Sequence, residues 1–300
     1  MSKATSFSCV LGRACLVGIL VAAGVTAAAA QEASASFKDA SRVAAIGGSI
    51  TEIVYALGEE KRLVARDSTS VYPDAALALP DVGYMRALSP EGVLSVDPSG
   101  ILALEGSGPK EAMDVLAKAS VPMIIVPDTF DRAGILEKIR VVGEALGTEQ
   151  RADALAARVD ADLAAAGQMT AGITERKRVL FILSTQGGKL LAAGSGTSAA
   201  GIIAMAGAIN AVDGFSGYKH LSDEAAILAR PDVILMMDRG GGRTLNEAEL
   251  FALPAIASTP AGQARRLVHM DASYLLGFGP RTAGAVRDLA TTLYGGDLGN

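Results

Sequence analysis

One loop holds the residues best suited to bind a metal chelate. Leu79-Pro80-Asp81-Val82-Gly83-Tyr84-Met85-Arg86 sets a tyrosine two positions before an arginine, among turn-forming residues. A phenolate oxygen is a hard anionic ligand that suits ferric iron, and tyrosine is among the protein ligands of haem iron. A free phenol ionises only near about pH 10, so ligation needs positive charge nearby, from the iron itself or from a guanidinium. Arg86 is near enough in sequence to supply it, and Arg239 is a candidate from the distant half of the chain. A loop tyrosine also serves for packing or hydrogen bonding, and the spacing alone leaves both readings open.

Other chemistry is thinly provided. The chain has two histidines, His220 and His269, so a Ser-His-acid hydrolase has only two possible bases. Gly47-Gly48-Ser49-Ile50-Thr51 fails the G-x-S-x-G pattern at its last position, and no P-loop or H-E-x-x-H occurs. Gly194-Ser195-Gly196 and Gly240-Gly241-Gly242 lack the dinucleotide-binding spacing and read as loops lining something or as tight turns. His269 follows Val268 in a strand pattern and reads as structural.

The first thirty residues form a separate object. Lys3 and Arg13 precede an apolar run that ends in Ala28-Ala29-Ala30, the pattern of a cleaved export signal over 1–30. Its removal takes both cysteines, Cys9 and Cys15, and leaves 25 basic against 32 acidic residues, a net charge of −7. The mature chain then has no disulfide or thiolate chemistry and must rely on its core. This composition suggests a bacterial periplasm. Half the residues are hydrophobic and a fifth are charged, which excludes disorder, and the acidic balance excludes a nucleic-acid footprint.

The remainder alternates strand-length apolar runs with helical patterns. Strands are expected at 42–46, 63–65, 101–104 and 123–126, with helices at 49–57, 110–118 and 133–146. Ser49 and Glu52 have the spacing of a capping box, and Gly58 closes that helix. A long helix is expected over 148–166. The βα rhythm then resumes with strands at 179–183, 233–237 and 267–270 and helices at 198–206 and 283–294. Leu88-Ser89-Pro90-Glu91, Pro98 and Ile101-Leu102 recur as Leu221-Ser222-Asp223-Glu224, Pro231 and Ile234-Leu235 at identical offsets, and Gly83-Tyr84 resembles Gly217-Tyr218. The pattern describes an α/β protein of two Rossmann-like lobes, 31–147 and 169–300, joined by one long helix, 148–168, with a ligand cleft between them.

Across 42–294 the chain resembles the periplasmic haem-binding proteins of haem ABC importers, within the class III, helical-backbone group of substrate-binding proteins. The resemblance rests on Gly47-Gly48-Ser49-Ile50-Thr51-Glu52, Ala65-Arg66-Asp67-Ser68-Thr69-Ser70, the Tyr84 loop, Ala192-Ala193-Gly194, Gly217-Tyr218-Lys219 and Leu276-Gly277-Phe278-Gly279-Pro280-Arg281. It implies that Tyr84 ligates the iron of haem b (hemin), the transported ligand, with no catalytic cofactor. It implies an arginine from the second lobe near that tyrosine, best matched by Arg239 with Arg243 as rival. Arg86, Lys219 and Arg281 become candidates for the haem propionates or for the surroundings of the iron ligand. Glu91 and Glu224 become the acidic contacts with an ABC permease dimer and its ATPase subunits, though the helix dipole would also favour a glutamate at each place. The expected protein is a periplasmic monomer and not an enzyme. Alternatives are the same role for cobalamin or a ferric siderophore, a haem sensor or store without a permease, and an exported hydrolase.

Overall fold

The structure is a computed structural model and describes residues 36–186, 189–238, 247–295 and 298. The expected export segment lies outside the described residues. Strands β1 (Val43–Ile46), β2 (Leu63–Arg66), β3 (Gly100–Leu104) and β4 (Met123–Val126) form a parallel sheet in the order β2-β1-β3-β4. Every residue of β1 and β3 is buried, as central strands covered on both faces require. Helices α1 (Gly48–Ala56), α2 (Pro90–Leu94) and α3 (Lys110–Lys118) lie in the connections, and α4 (Arg132–Ala145) follows β4.

The start of α1 departs from the sequence expectation. No Ser49–Glu52 capping box forms: the cap is Gly47 at φ +116°, and no side chain caps the helix. Asp67, fully buried, fixes this turn instead. Its carboxylate accepts hydrogen bonds from Gly47 N at 3.0 Å, from Thr69 N and Oγ1 at 3.0 and 2.8 Å, and from Ser70 Oγ at 2.8 Å. The helix therefore begins one position earlier, and Ser49 and Glu52 make their contacts elsewhere. Gly58, at φ +71°, closes α1 as its position predicts.

Helix α5 (Glu149–Gln168) leads into the second lobe, close to the expected 148–166. Its buried residues Ala152, Leu155, Ala156, Val159, Leu163 and Ala166 recur three or four apart and give it one apolar face. The second lobe continues with β5 (Arg178–Gln186), β6 (Lys189–Ala193), α6 (Ser198–Met205), β7 (Ile209–Asn210), β8 (Tyr218–Leu221), α7 (Asp223–Ala229) and β9 (Val233–Asp238). It ends with α8 (Glu247–Ala252), α9 (Pro254–Ala257), α10 (Pro260–Gln263), β10 (Leu267–Asp271), α11 (Ala272–Leu276) and α12 (Thr282–Tyr294).

The two sheets share a plan. β7, β5, β9 and β10 pair in parallel in the same succession as β2, β1, β3 and β4. The repeat seen in sequence is also a repeat in conformation. Ser89 Oγ accepts from Gly92 N and Ser222 Oγ accepts from Ala225 N, each at 3.2 Å. Asp97 and Arg230, each just before the repeat's proline, take the left-handed conformation at φ +50° and +44°. That conformation costs a non-glycine residue about 1–2 kcal/mol, so its occurrence twice at one offset marks a duplicated unit. The lobes differ where the antiparallel strands β6 and β8 extend the second sheet; no strand was expected there.

One hydrophobic core runs through both lobes, from the first sheet through α4, α5 and α12 to α6 and one face of the second sheet. A smaller core covers the other face of the second sheet. Among the described residues no helix is long and apolar enough to cross a membrane.

Candidate functional site

The Tyr84 loop is held at the end of β2. Arg66 N donates to the Pro80 carbonyl and Val82 N to the Arg66 carbonyl, both at 2.9 Å, and Ser68 N donates to the Gly83 carbonyl at 2.9 Å. Gly83 takes φ +100°, open to glycine and strained for any side chain. Met85 is buried and anchors the loop, while Tyr84 and Arg86 on either side of it are exposed. Arg86 Nη1 donates to Tyr84 Oη at 3.0 Å. The structure thus joins the expected phenol and guanidinium directly, and 44% of Tyr84 is open to solvent.

A cavity of about 410 Å³ opens between the lobes. Asp128, Thr129, Phe130 and Asp131 line it from the first lobe, and Gly196, Thr197, Ala200 and Gly201 from the second. Arg86 lies close enough to Asp128 for its charge to act on that carboxyl. On the far side, Ser198 Oγ meets Tyr218 Oη at 3.4 Å. Tyr218 follows Gly217 at φ +78°, as Tyr84 follows Gly83, and its ring packs edge-on against Phe181 at 6.4 Å. Lys219 is exposed, its ammonium 5.7 Å from the Phe215 ring centre. Arg239 and Arg243 lie outside the described residues.

Arg281 is engaged elsewhere. Its Nε and Nη2 donate to Glu52 Oε2 and Oε1 at 2.9 and 2.5 Å, a two-point pair from the second lobe to the first. Its guanidinium carbon lies 3.7 Å from the centre of the Tyr72 ring and 5.4 Å from that of Tyr274. Beside it Lys138, with no solvent exposure, donates to Asp128 Oδ1 at 2.5 Å, to Ser49 Oγ at 3.3 Å and to the Phe278 carbonyl at 3.2 Å. Burial pushes the Glu52 carboxyl above its usual range, with Arg281 pulling the other way. Burial likewise lowers the Lys138 ammonium and raises Asp128, each against the pull of its partner. Sequence reasoning gave none of these contacts. Lys138 was nevertheless detectable, because it shares the apolar stripe Ile135, Ile139 and Val142 of α4.

Glu91 and Glu224 occupy equivalent exposed places in the first turns of α2 and α7. Each carboxyl is held below its usual range by its own backbone N–H and by the capping serine, Ser89 or Ser222. His220 is exposed, and His269 Nδ1 lies 3.0 Å from Asp238 Oδ1. Among the described residues no group of three or more His, Cys, Asp or Glu is placed to hold a metal ion.

Two α/β lobes share a continuous core, and residues 128–131 of the first and residues within 196–201 of the second line a cavity between them. The chain belongs to the periplasmic binding protein family, whose profile matches residues 43–274. Among solved structures it is similar to the periplasmic heme-binding protein BhuT in complex with two hemes, at 42% identity and a TM-score of 0.79, over 84% of this chain and 97% of that one. It is also similar to the periplasmic heme-binding protein RhuT from Roseiflexus sp. RS-1, at 39% identity and a TM-score of 0.81, over 85% and 98% of the two chains. Among curated proteins it is 25% identical over 260 residues to the ABC transporter substrate-binding lipoprotein YvrC of Bacillus subtilis, covering 86% of this chain and 81% of that protein. A shorter likeness, 36% over 84 residues, links 28% of this chain to 30% of the vitamin B12-binding protein of Yersinia pestis.

Proposed function

We propose that this protein captures haem in the interlobe cleft through a bond from Tyr84 to the ferric iron and carries it to an ABC permease. The observation that carries this reading is the hydrogen bond from Arg86 to the exposed Tyr84 phenol. A guanidinium donor favours the phenolate, the form that binds iron. The macrocycle would bury its apolar faces in the cleft, with Arg86 and Lys219 toward its charged edge. Arg281, already bound to a carboxylate, is left out of the cargo contacts. The likeness to BhuT and RhuT along nearly their whole length supports haem over other cargo.

The chain is exported through its N-terminal segment and acts as a monomer. Glu91 and Glu224 dock it onto basic sites of a permease dimer driven by ATPase subunits. Their equivalent places on duplicated lobes suit two equivalent permease subunits. The role is carriage, and no residue is assigned to catalysis. Loss of the single axial bond would free the cargo.

The deciding experiment is a hemin titration of the purified mature protein beside Tyr84→Ala, followed by absorption. Saturable binding with a high-spin ferric, tyrosinate-type spectrum, lost in the variant, is the expected result. An unchanged spectrum in the variant would move the ligand to another residue. Absence of saturable binding would sink the haem reading. The partial likeness to a vitamin B12-binding protein makes cobalamin the second cargo to titrate.

A further inference from the structure

The loop from Leu276 to Arg281 enters the first lobe at three points. Arg281 makes its two-point pair with Glu52 of α1, a side chain only 7% exposed. The Phe278 carbonyl accepts from the buried Lys138 of α4. The Phe278 ring, 1% exposed, packs edge-on against Phe130 at 5.3 Å. Phe278 itself takes φ +49°, a conformation that a side chain of its size adopts only under constraint. Gly279 sits so close that an added Cβ would lie 3.5 Å from Ser49 Cβ and 3.4 Å from Glu52 Oε2.

These groups are poorly explained as a source of stability. Burial opposes the ionised forms of both Glu52 and Lys138, and a buried ion pair is often no more stabilising than an apolar pair of the same shape. What a two-point guanidinium–carboxylate pair supplies is direction. It fixes the second lobe's loop against α1. It also holds the Arg281 guanidinium carbon 3.7 Å from the centre of the Tyr72 ring, and Tyr72 remains 43% exposed.

We propose that Glu52, Arg281, Lys138 and the 276–281 loop form an interlobe clasp that fixes the width of the cleft and sets how slowly cargo leaves. They act as positioning residues and do not touch the iron. This inference rests on the reading of the protein as a cleft carrier and adds the contacts that keep it closed.

The test reads lobe spacing and cargo release separately. Residues 31–300 contain no cysteine, so Lys118→Cys and Leu228→Cys, exposed on opposite lobes, can carry spin labels. The clasp is opened with Glu52→Gln or Arg281→Met. It is closed again with Ser49→Cys and Gly279→Cys in a separate, unlabelled protein, because Cβ atoms in a disulfide lie about 3.5–4.5 Å apart.

In cargo-free protein the parent should give a narrow distance distribution, and Glu52→Gln or Arg281→Met a broader one. Transfer of hemin to an excess acceptor should accelerate about tenfold or more in these variants, equivalent to a factor of ten in Kd at unchanged association. The bound spectrum should be unchanged. Oxidation of the staple in the Glu52→Gln protein should restore the parental release rate, and reduction should abolish the rescue. Parental distances and release rates in folded Glu52→Gln and Arg281→Met would overturn the proposal. If neither variant folds, the staple in the otherwise unaltered chain decides: slower release supports the clasp, and unchanged release overturns it. Failure of hemin to bind at all would overturn the cargo assignment, while the distance distributions would still decide the clasp.

Discussion

The proposed role of Tyr84 turns on what stands beside it. Its one described side-chain partner is Arg86, and that contact was legible because the two lie two positions apart in a loop pinned by Met85. Arg86→Leu should keep the fold and weaken hemin binding. A hydrogen bond to a charged group contributes about 1.5–3 kcal/mol, and the exposure of Tyr84 places the effect at the lower end, about tenfold in Kd. An isothermal titration of hemin checks it. Arg281 shows the opposite case. It lies 229 residues from Glu52, so no local pattern could show that the guanidinium was already claimed. Tyr274 adds a pH prediction. Burial first, and then its hydrogen bond to Asp288, push its phenol up to about 12. A raised phenol pKa means that the native state favours the protonated form. Its contribution to stability is therefore complete below the unfolded value of about 10 and is lost as pH rises from there toward 12. Burial and the Glu60 carboxylate also raise the Tyr55 phenol, so ultraviolet titration should show late ionisation that Tyr274→Phe reduces without abolishing.

Among the elements, α2 and α7 were legible in sequence as a repeated pattern rather than as expected helices, because serine, glutamate and proline lie within ten residues of one another. Ser89→Ala and Ser222→Ala should each cost about 1 kcal/mol in chemical denaturation. Each should also let the nearby glutamate, Glu91 or Glu224, titrate closer to its usual range, measurable by carboxyl NMR. Those carboxyls are depressed in the native state, so their contribution is present at neutral pH and fades as pH falls through the carboxylate range. Helix α6 carries a tighter constraint. An added Cβ at Gly201 would lie 2.4 Å from the Phe130 carbonyl oxygen and 2.8 Å from Phe130 Cβ. Gly201→Ala must therefore push α6 away from the first lobe. Overpacking of this kind costs about 1–3 kcal/mol, and thermal unfolding should fall by about 2–4 °C per kcal/mol. Among the elements not expected from sequence are the short helices α8 to α11, the two-residue strand β7, and β6 and β8, which are antiparallel and break the regular βα alternation. The capping box at Ser49 failed for a related reason: the competing partners, Asp67, Lys138 and Arg281, all come from other segments.

At the scale of the whole molecule, the duplicated lobes make the docking surface the sharpest prediction. Glu91 and Glu224 sit at equivalent places on separate lobes, both exposed and both held ionised by the same two local contacts. A carrier that meets a permease dimer through such a pair should need both. Glu91→Lys or Glu224→Lys alone should slow hemin import, and the double reversal should abolish it. Hemin affinity should stay at the parental level throughout, because the hydrogen bonds that shift these carboxyls are confined to their own helix starts. The interaction should also weaken with salt, since exposed charges are screened beyond about 8 Å at physiological ionic strength. Import into vesicles bearing the cognate permease, compared at low and high salt, measures both effects. Normal import by the double reversal would detach this protein from a docked permease and leave it as a haem store. Import lost together with hemin binding would show instead that the two glutamates support the cleft.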